Sequence, residues 1–496
     1  MIEQRNHLRQ LPKGWAWARI GDFSQVLGGK RLPKGHKFSE SPTAYPYLRV
    51  TDFDKMTTNT EQLQYLKPET HELIKNYTIS KDDVYISIAG SIGKVGIIPE
   101  SLDGANLTEN AARITLPPGI NKKALSFILS TPLVQDQIKK SIVSTNQPKL
   151  ALFRIEKVVV PIPPTLEQGR IVVRLEELFA CLDAGVEGLQ KVKAQLKRYR
   201  QAVLKYAFEG KLTEEWRKTH REQIEPAAEL VDGTKLKPPY LQPPFELPKE
   251  WMWDRLGLYS NVITKGESPN WQGFDYVDIG VSFIRSENVL WGAVELENVV
   301  GIPIGFHNKL KRSQVKAGDV LINLVGASIG RCGIVPSCVE TANINQAVAL
   351  IRVNDALLSS YLMYLLISPK MQGIIHANKV ETARPNISLQ DLRQLVIPLP
   401  SLAEHREIIE EVEHRFSLID KTEEAIGNGI RQPDRMRQSL LKVAFEGKLV
   451  AQDPSDEPAE RVLERIEEER TKRESVTVRK KRRNKPIQSD LFSYVK

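Results

Sequence analysis

Residues 200–212 read RQAVLKYAFEGKL and residues 437–449 read RQSLLKVAFEGKL. Phe208 and Phe445 stand 237 residues apart, and the register runs backwards through both halves of the chain. LPKGWAWARIGDFS at 11–24 returns as LPKEWMWDRLGLYS at 247–260, and YLRVTDF at 47–53 returns as FIRSENV at 283–289. DDVYISIAGSIGKVGIIP at 82–99 returns as GDVLINLVGASIGRCGIVP at 318–336, one residue longer. Solenoid units run roughly 20–50 residues, so the repeated object is a whole domain plus a helix. Duplication of that object predicts a pseudo-twofold molecule with two similar but non-identical surfaces.

Around this repeat, 496 residues leave ample chain for two buried cores. The 70 Lys and Arg against 61 Asp and Glu leave a formal charge of +9, which favours a polyanionic partner without naming one. Three cysteines, Cys181, Cys332 and Cys338, provide neither a disulfide framework nor the paired spacings of a zinc site. MIEQRNHLRQ at 1–10 lacks an apolar signal core, and charges interrupt every apolar run before spanning length. A cytoplasmic location is therefore expected.

Each repeat changes character halfway. Over 11–164 and 247–401, short β-branched runs such as VYISIAG, KVVVPIPP, VLINLVG and QLVIPLP alternate with turn residues and read as strands. One helix is expected in each, near 121–141 and 355–377, which makes both domains α+β. From Leu166 to Phe208 the period becomes helical: Leu189, Val192, Leu196, Tyr199, Val203 and Tyr206 alternate spacings of three and four, the seam of a coiled coil. Such a helix, about 1.5 Å per residue, reads as a spacer. Gly210 and Gly447 stand where a left-handed residue caps a helix, with Leu212 and Leu449 as its hydrophobic closures.

The second spacer departs from the first. Gly429 and Pro433 replace Val192 and Leu196, so its seam reduces to Met436, Leu440 and Val443 after a break or restart at Pro433. The segments expected are an N-terminal arm (1–10), a first α+β domain (11–164), a helical spacer (165–212) and a stiff Pro-rich linker (213–246). A second domain (247–401), a second spacer (402–449) and a charged extension (450–496) follow, the last ending in RKKRRNK at 479–485.

Catalytic motifs fail one by one. The PPY and PPF doublets at 238–240 and 243–245 lack the acceptor of an amino-methyltransferase tetrapeptide, because Lys237 and Gln242 precede them. Gly90, Gly93, Gly96 and Gly326, Gly330, Gly333 have neither the Lys-Ser/Thr of a P-loop nor a GxGxxG opening a helix, and read as strand-bounding turns. Glu209-Gly210-Lys211 and Glu446-Gly447-Lys448 resemble half of a nuclease motif but sit on helix caps. His405 and His414 lie among carboxylates and are expected to be solvated or paired. No nucleophile, metal cage or cofactor cradle is complete.

Paired LPxxWxW openings, GSIG and GASIG turns, QPKL and RPNI before V-x-P-I/L-P, and RQxxLxxAFEGKL occur in one order from Leu11 to about Glu467. In that order the chain resembles the specificity subunit of type I restriction-modification systems. The resemblance implies two target-recognition domains held apart by spacer helices. It also implies no catalysis by this chain, with S-adenosylmethionine, ATP and Mg2+ in partner subunits. The partners implied are double-stranded DNA, two modification subunits and restriction subunits, with no membrane. A lone DNA adenine methyltransferase or nuclease, or a non-catalytic repeat scaffold, remain the alternatives.

Two similar domains on one frame suit the near-twofold backbone of a duplex, with an asymmetric target where the domains diverge. DNA contacts are expected first in GGKRLPKGHK at 28–37, through Lys30, Arg31, Lys34 and Lys37, and in its counterpart beginning at Lys265. Arg49 and Arg285 hold equal positions and could read guanine, clamp phosphate or form internal ion pairs. Lys94, Lys149, Arg331 and Arg384 complete the basic candidates. Partner docking is assigned to Leu189, Val192, Leu196, Tyr199, Val203, Met436, Leu440 and Val443.

Overall fold

A computed structural model describes residues 10–54, 56–142, 148–223, 245–377 and 386–483. The chain divides into two compact units: the residues up to Gly188 together with those from Gly429, and Leu189–Asn428. These units cut across the segments expected from the sequence. Each contains one α+β domain, the first part of the helix that follows it, and the last part of the helix from the other repeat.

The LPxxWxW opening becomes a strand because its second half pairs with the Pro-rich run closing the same domain. Ala16–Arg19 lies antiparallel to Val159–Ile162, and Met252–Arg255 to Val396–Leu399. The first tryptophan of each opening is buried, and its indole donates to a carboxylate in the first turn of the following helix. Trp15 Nε1 to Glu167 Oε2 is 3.0 Å, and Trp251 Nε1 to Glu404 Oε2 is 2.8 Å. This hydrogen bond ties the start of the helix to the opening of its own domain.

In the first unit an antiparallel sheet runs Gln25–Gly28, Ala111–Thr115, Val84–Ser87, Val95–Ile97. A second sheet runs Gln64–Tyr65, Pro46–Leu48, Ala105–Leu107, Thr78–Ile79, with its central pair parallel. The second unit repeats both orders, as Ser260–Lys265, Val348–Val353, Val320–Asn323, Cys332–Ile334 and as Val300–Ile302, Val281–Ile284, Ala342–Ile344, Gln314–Val315. Gly292–Ala293 extends its first sheet through a parallel pairing. The extra residue of GASIG is absorbed in a 3₁₀ turn, Gly326–Ser328. Gly90, Gly93, Gly326 and Gly330 occupy turns with positive φ, whereas Gly96 and Gly333 lie inside strands.

The helix expected near 121–141 and 355–377 is in each case two, and each domain holds further short helices, Pro68–Ile74 and Leu152–Glu156 in the first, Ile304–Lys309 and Leu389–Gln394 in the second. Lys122–Leu129 is followed by Pro132–Lys140, and Ser359–Leu366 by Pro369–Ala377. Pro132 and Pro369 lack the N–H that would continue the first helix but fit the first position of a new one, and the Thr131 side chain accepts from Val134 N to cap it.

The first spacer is one unbroken helix of 44 residues, Thr165–Phe208, about 66 Å of rise. The second is Leu402–Arg431 and then Pro433–Ala444, restarting at Pro433. AFEGKL closes both in full Schellman geometry: Lys211 N donates to Tyr206 O (2.9 Å) and Gly210 N to Ala207 O (3.2 Å), matched by Lys448 to Val443 (3.1 Å) and Gly447 to Ala444 (3.0 Å). Gly210 and Gly447 share φ +71°, and a Cβ there would lie 2.3 Å from Pro248 Cγ and 2.2 Å from Pro12 Cγ. Leu212 and Leu449 pack on the respective cores.

Those cores explain the chain division. Ile171, Val172, Leu175 and Phe179 with Leu441, Ala444 and Phe445 join the first domain's core. Ile408, Val412, Phe416 and Ile419 with Val203, Leu204, Ala207 and Phe208 join the second's. The segment expected as a Pro-rich link begins instead as a helix, Glu214–Thr219. Arg217 there is buried in an ion pair with Glu404 (2.9 Å), and 224–244 lie outside the described residues. The C-terminal extension is a helix, Ala459–Arg483, whose Ala459 N donates to Gly14 O (2.8 Å); the basic cluster at 479–485 shares that backbone as far as Arg483. Among the described residues no helix is long and apolar enough to cross a membrane.

Candidate nucleic-acid interface

Two equivalent loops leave the first sheet of each domain. Gly29 and Gly266 pass so close to the neighbouring strand that a Cβ would lie 2.1 Å from Thr108 O and 1.6 Å from Ile344 O. Beyond these glycines the loops diverge.

In the first unit Lys30, Lys34 and Lys37 are exposed. Lys30 Nζ lies 5.5 Å from the Tyr77 ring centroid, and its carbonyl accepts from Tyr47 OH (2.8 Å). Arg31 reaches Glu109 at 2.8 Å while its side chain stays 79% exposed. His36 Nδ1 lies 2.8 Å from Thr70 Oγ1, tying the loop to the domain. The counterpart in the second unit is not a basic loop. After exposed Lys265 it carries Glu267, paired with Arg312, and presents Trp271, Tyr276 and Ile279 to solvent, Ile279 at 95%. Lysine positions in one copy did not forecast aromatic ones in the other, because a loop's surface is not constrained by the core beneath it.

Both units hold the same His–Asn pair, half-buried at His71 and buried at His307. His71 Nδ1 lies 2.7 Å from Asn106 Oδ1, and His307 Nδ1 lies 2.5 Å from Asn343 Oδ1. Gln135 and Gln372 clamp the glycine turns: Gln135 Nε2 donates to Gly93 O (3.0 Å) and Leu129 O (2.8 Å), and Gln372 Nε2 to Gly330 O (2.9 Å) and Leu366 O (2.7 Å). Neither set was singled out from the sequence. Their signal was available, since TPLVQ at 131–135 and SPKMQ at 368–372 keep the 237-residue register.

The remaining cations are placed differently. Arg49 is held by Asp52, with Nη2 2.8 Å from Oδ1 and Nε 3.2 Å from Oδ2, and by the Gln62 carbonyl (2.9 Å). The internal ion pair is thus what the fold contains there. Arg285 pairs with Glu287 (2.5 Å), and Lys94 Nζ donates to Phe53 O (3.1 Å). Lys149 is exposed beside a bridge to Ala89, Arg331 is half-buried, and Arg384 lies outside the described residues.

Of the docking residues, Val203 is 3% exposed and belongs to the second unit's core; Leu196 and Leu440 also pack against cores. Leu189 is half-buried. Val192, Tyr199, Met436 and Val443 are exposed, as is Tyr206, a member of the seam outside that docking set. The heptad seam therefore splits. A helix lying on both a sheet domain and another helix buries a broader, rotated face than a two-stranded coil does, and Leu204, Ala207 and Phe208 fill it.

His405, expected to be solvated or paired, is buried with neither ring nitrogen hydrogen-bonded, and burial pushes its pKa down to about 3. His414 is exposed. Burial pushes the Cys332 thiol up, and among the described residues the three cysteines are unbridged and no group of His, Cys, Asp or Glu could hold a metal.

The family model described as type I restriction modification DNA specificity domain matches residues 12–194 and 261–431. The type I restriction enzyme EcoBI specificity subunit of Escherichia coli is 27% identical over 486 residues, covering 95% of each chain. The EcoKI specificity subunit of Escherichia coli strain K12 is 25% identical over 486 residues, covering 93% of this chain and 96% of its own. In fold, the crystal structure of the HsdS subunit from Thermoanaerobacter tengcongensis aligns with a TM-score of 0.58 at 19% identity, over 90% of this chain and all of that one.

Proposed function

The chain belongs to the type I restriction modification DNA specificity family, and from that premise we propose that it reads an asymmetric, bipartite duplex target, one half-site per unit. It is a specificity subunit, the non-catalytic recognition component of a type I restriction-modification system. The observation that carries the bipartite reading is a framework kept twice, down to Trp15/Trp251, His71/His307 and Gln135/Gln372, beneath loops that differ. A duplicated scaffold with divergent edges suits two unlike half-sites.

On the first unit, Lys30, Arg31, Lys34 and Lys37 supply phosphate affinity, which salt weakens by counterion release; Lys149 and Lys265 add exposed charge. Val192 and Tyr199, exposed on the second unit, and, separately, Met436 and Val443, exposed on the first, are offered to modification subunits, and restriction subunits complete the assembly. S-adenosylmethionine, ATP and Mg2+ belong to those partners, and the whole works in the cytoplasm.

Purified alone, the chain should neither methylate nor cut. With its modification partner and S-adenosylmethionine it should direct methylation of adenines within one two-part sequence, read by mapping methylated adenines. Methyl transfer or cleavage by the chain free of partner would overturn this reading.

A further inference from the structure

The internal repeat is its own control for the framework cations. In the first unit both are satisfied within the protein: Arg49 by Asp52 and the Gln62 carbonyl, Lys94 by the Phe53 carbonyl. Ser87, in the strand between them, accepts from Lys94 N (2.9 Å) and donates to Ser91 O (2.5 Å).

The second unit keeps the arginine, as Arg285, and changes Asp52, Ser87 and Lys94 at equivalent positions. Asn288 stands where Asp52 does and still accepts from the Arg285 backbone N–H (2.9 Å), but a neutral amide cannot neutralise a guanidinium. Arg285 turns one Nη2 to Glu287, and its Nε is buried without a partner. Arg331 stands where Lys94 does; its Nε is likewise buried and unpartnered, and no acidic residue pairs with it among the described residues. Asn323 replaces Ser87. It is fully buried and joins both arginine segments, its N donating to Arg331 O (2.9 Å) and its Nδ2 to Ser286 O (2.8 Å), while its Oδ1 has no partner. Gln372 Oε1, held against Gly330, is also buried and unpartnered.

A half-buried guanidinium is preorganised, and its fork of donors matches paired acceptors. We propose that Arg331, positioned by Asn323 and backed by Arg285, is a specificity-determining DNA contact of the second unit, donating to the acceptor edge of a guanine or to a phosphate, and that Arg49 and Lys94 are structural. This rests on the DNA-recognition reading above.

The test uses the complex with its modification partner. DNA binding at several salt concentrations and methylated-site mapping are compared for the wild type, Arg331→Ala, Arg331→Lys and Lys94→Ala. Arg331→Ala should weaken target binding about 10- to 100-fold and leave the first half-site's sequence intact. A guanine contact appears as relaxed discrimination at one position of the second half-site, which lysine does not restore. A phosphate contact appears as uniform weakening with the salt slope lower by about 1, which lysine largely restores. Lys94→Ala should match the wild type. Wild-type affinity, slope and sequence in Arg331→Ala overturn the proposal, as does an equal loss in Lys94→Ala. Should the alanine variant fail to fold, Arg331→Gln, which keeps the stem, decides by the same criteria. Absence of sequence-specific methylation by the wild-type complex would instead remove the recognition reading.

Discussion

Gln168 and His405 hold the same position in the two repeats with opposite consequences. Gln168 accepts from Asn121 N (2.7 Å) and donates to Pro163 O (2.9 Å) and Gly119 O (3.3 Å), joining its helix to the loop before it. The His405 ring instead lies tilted 4.1 Å from the Tyr361 ring with both nitrogens unpartnered. Its pKa is depressed from 6.5 to about 3 in the fold, so the unfolded chain takes up a proton that the folded chain refuses. Stability present above pH 6.5 is lost as pH falls toward 3, amounting to about 2 kcal/mol at pH 5. His405→Gln, which offers the Gln168 chemistry, should remove that part of the acid sensitivity. Urea midpoints at pH 7 and pH 5 measure it, and an equal drop in wild type and variant would refute the assignment to His405.

At the scale of the element, the spacer helices were legible from spacing and caps because both signals are local. The AFEGKL cap is read within six residues, and the structure places Gly210 and Gly447 in the left-handed region with prolines against them. Gly447→Ala should therefore cost about 1–2 kcal/mol from backbone strain alone, more if Pro12 cannot yield. Gly185→Ala, inside the long helix with open space around its Cβ, should instead gain about 0.5–1 kcal/mol. Thermal unfolding of the pair checks both signs. The coiled-coil seam was only half right, because periodicity identifies an apolar stripe but not what covers it. Val203 is covered by the chain's own core, whereas Tyr199 and Tyr206 remain exposed.

Across the whole molecule, the contiguous stretch 11–164 shares its core with Phe179 from its own helix and Phe445 from the other repeat's helix. A related chain whose domain presents the same apolar face to those residues can be exchanged there. The exchange should change one half of the methylated sequence and leave the other untouched, as methylome sequencing would show. Change in both halves would mean that the domains do not read independently.

The duplication, the α+β character of each copy, the Pro433 restart and the missing catalytic constellation were all present in the residue order, since each is written in spacings or in patterns over short stretches. Tertiary structure decided the rest. Arg217 and Trp251 converge on Glu404 across more than 150 residues, and nothing local announces that. Asp52 against Asn288 is a one-atom-scale change in the sequence, yet it decides whether the arginine three residues earlier is held by that side chain or turns to Glu287 instead. Burial and pairing depend on residues that the fold brings together from far apart, so they emerge only when the chain has closed on itself.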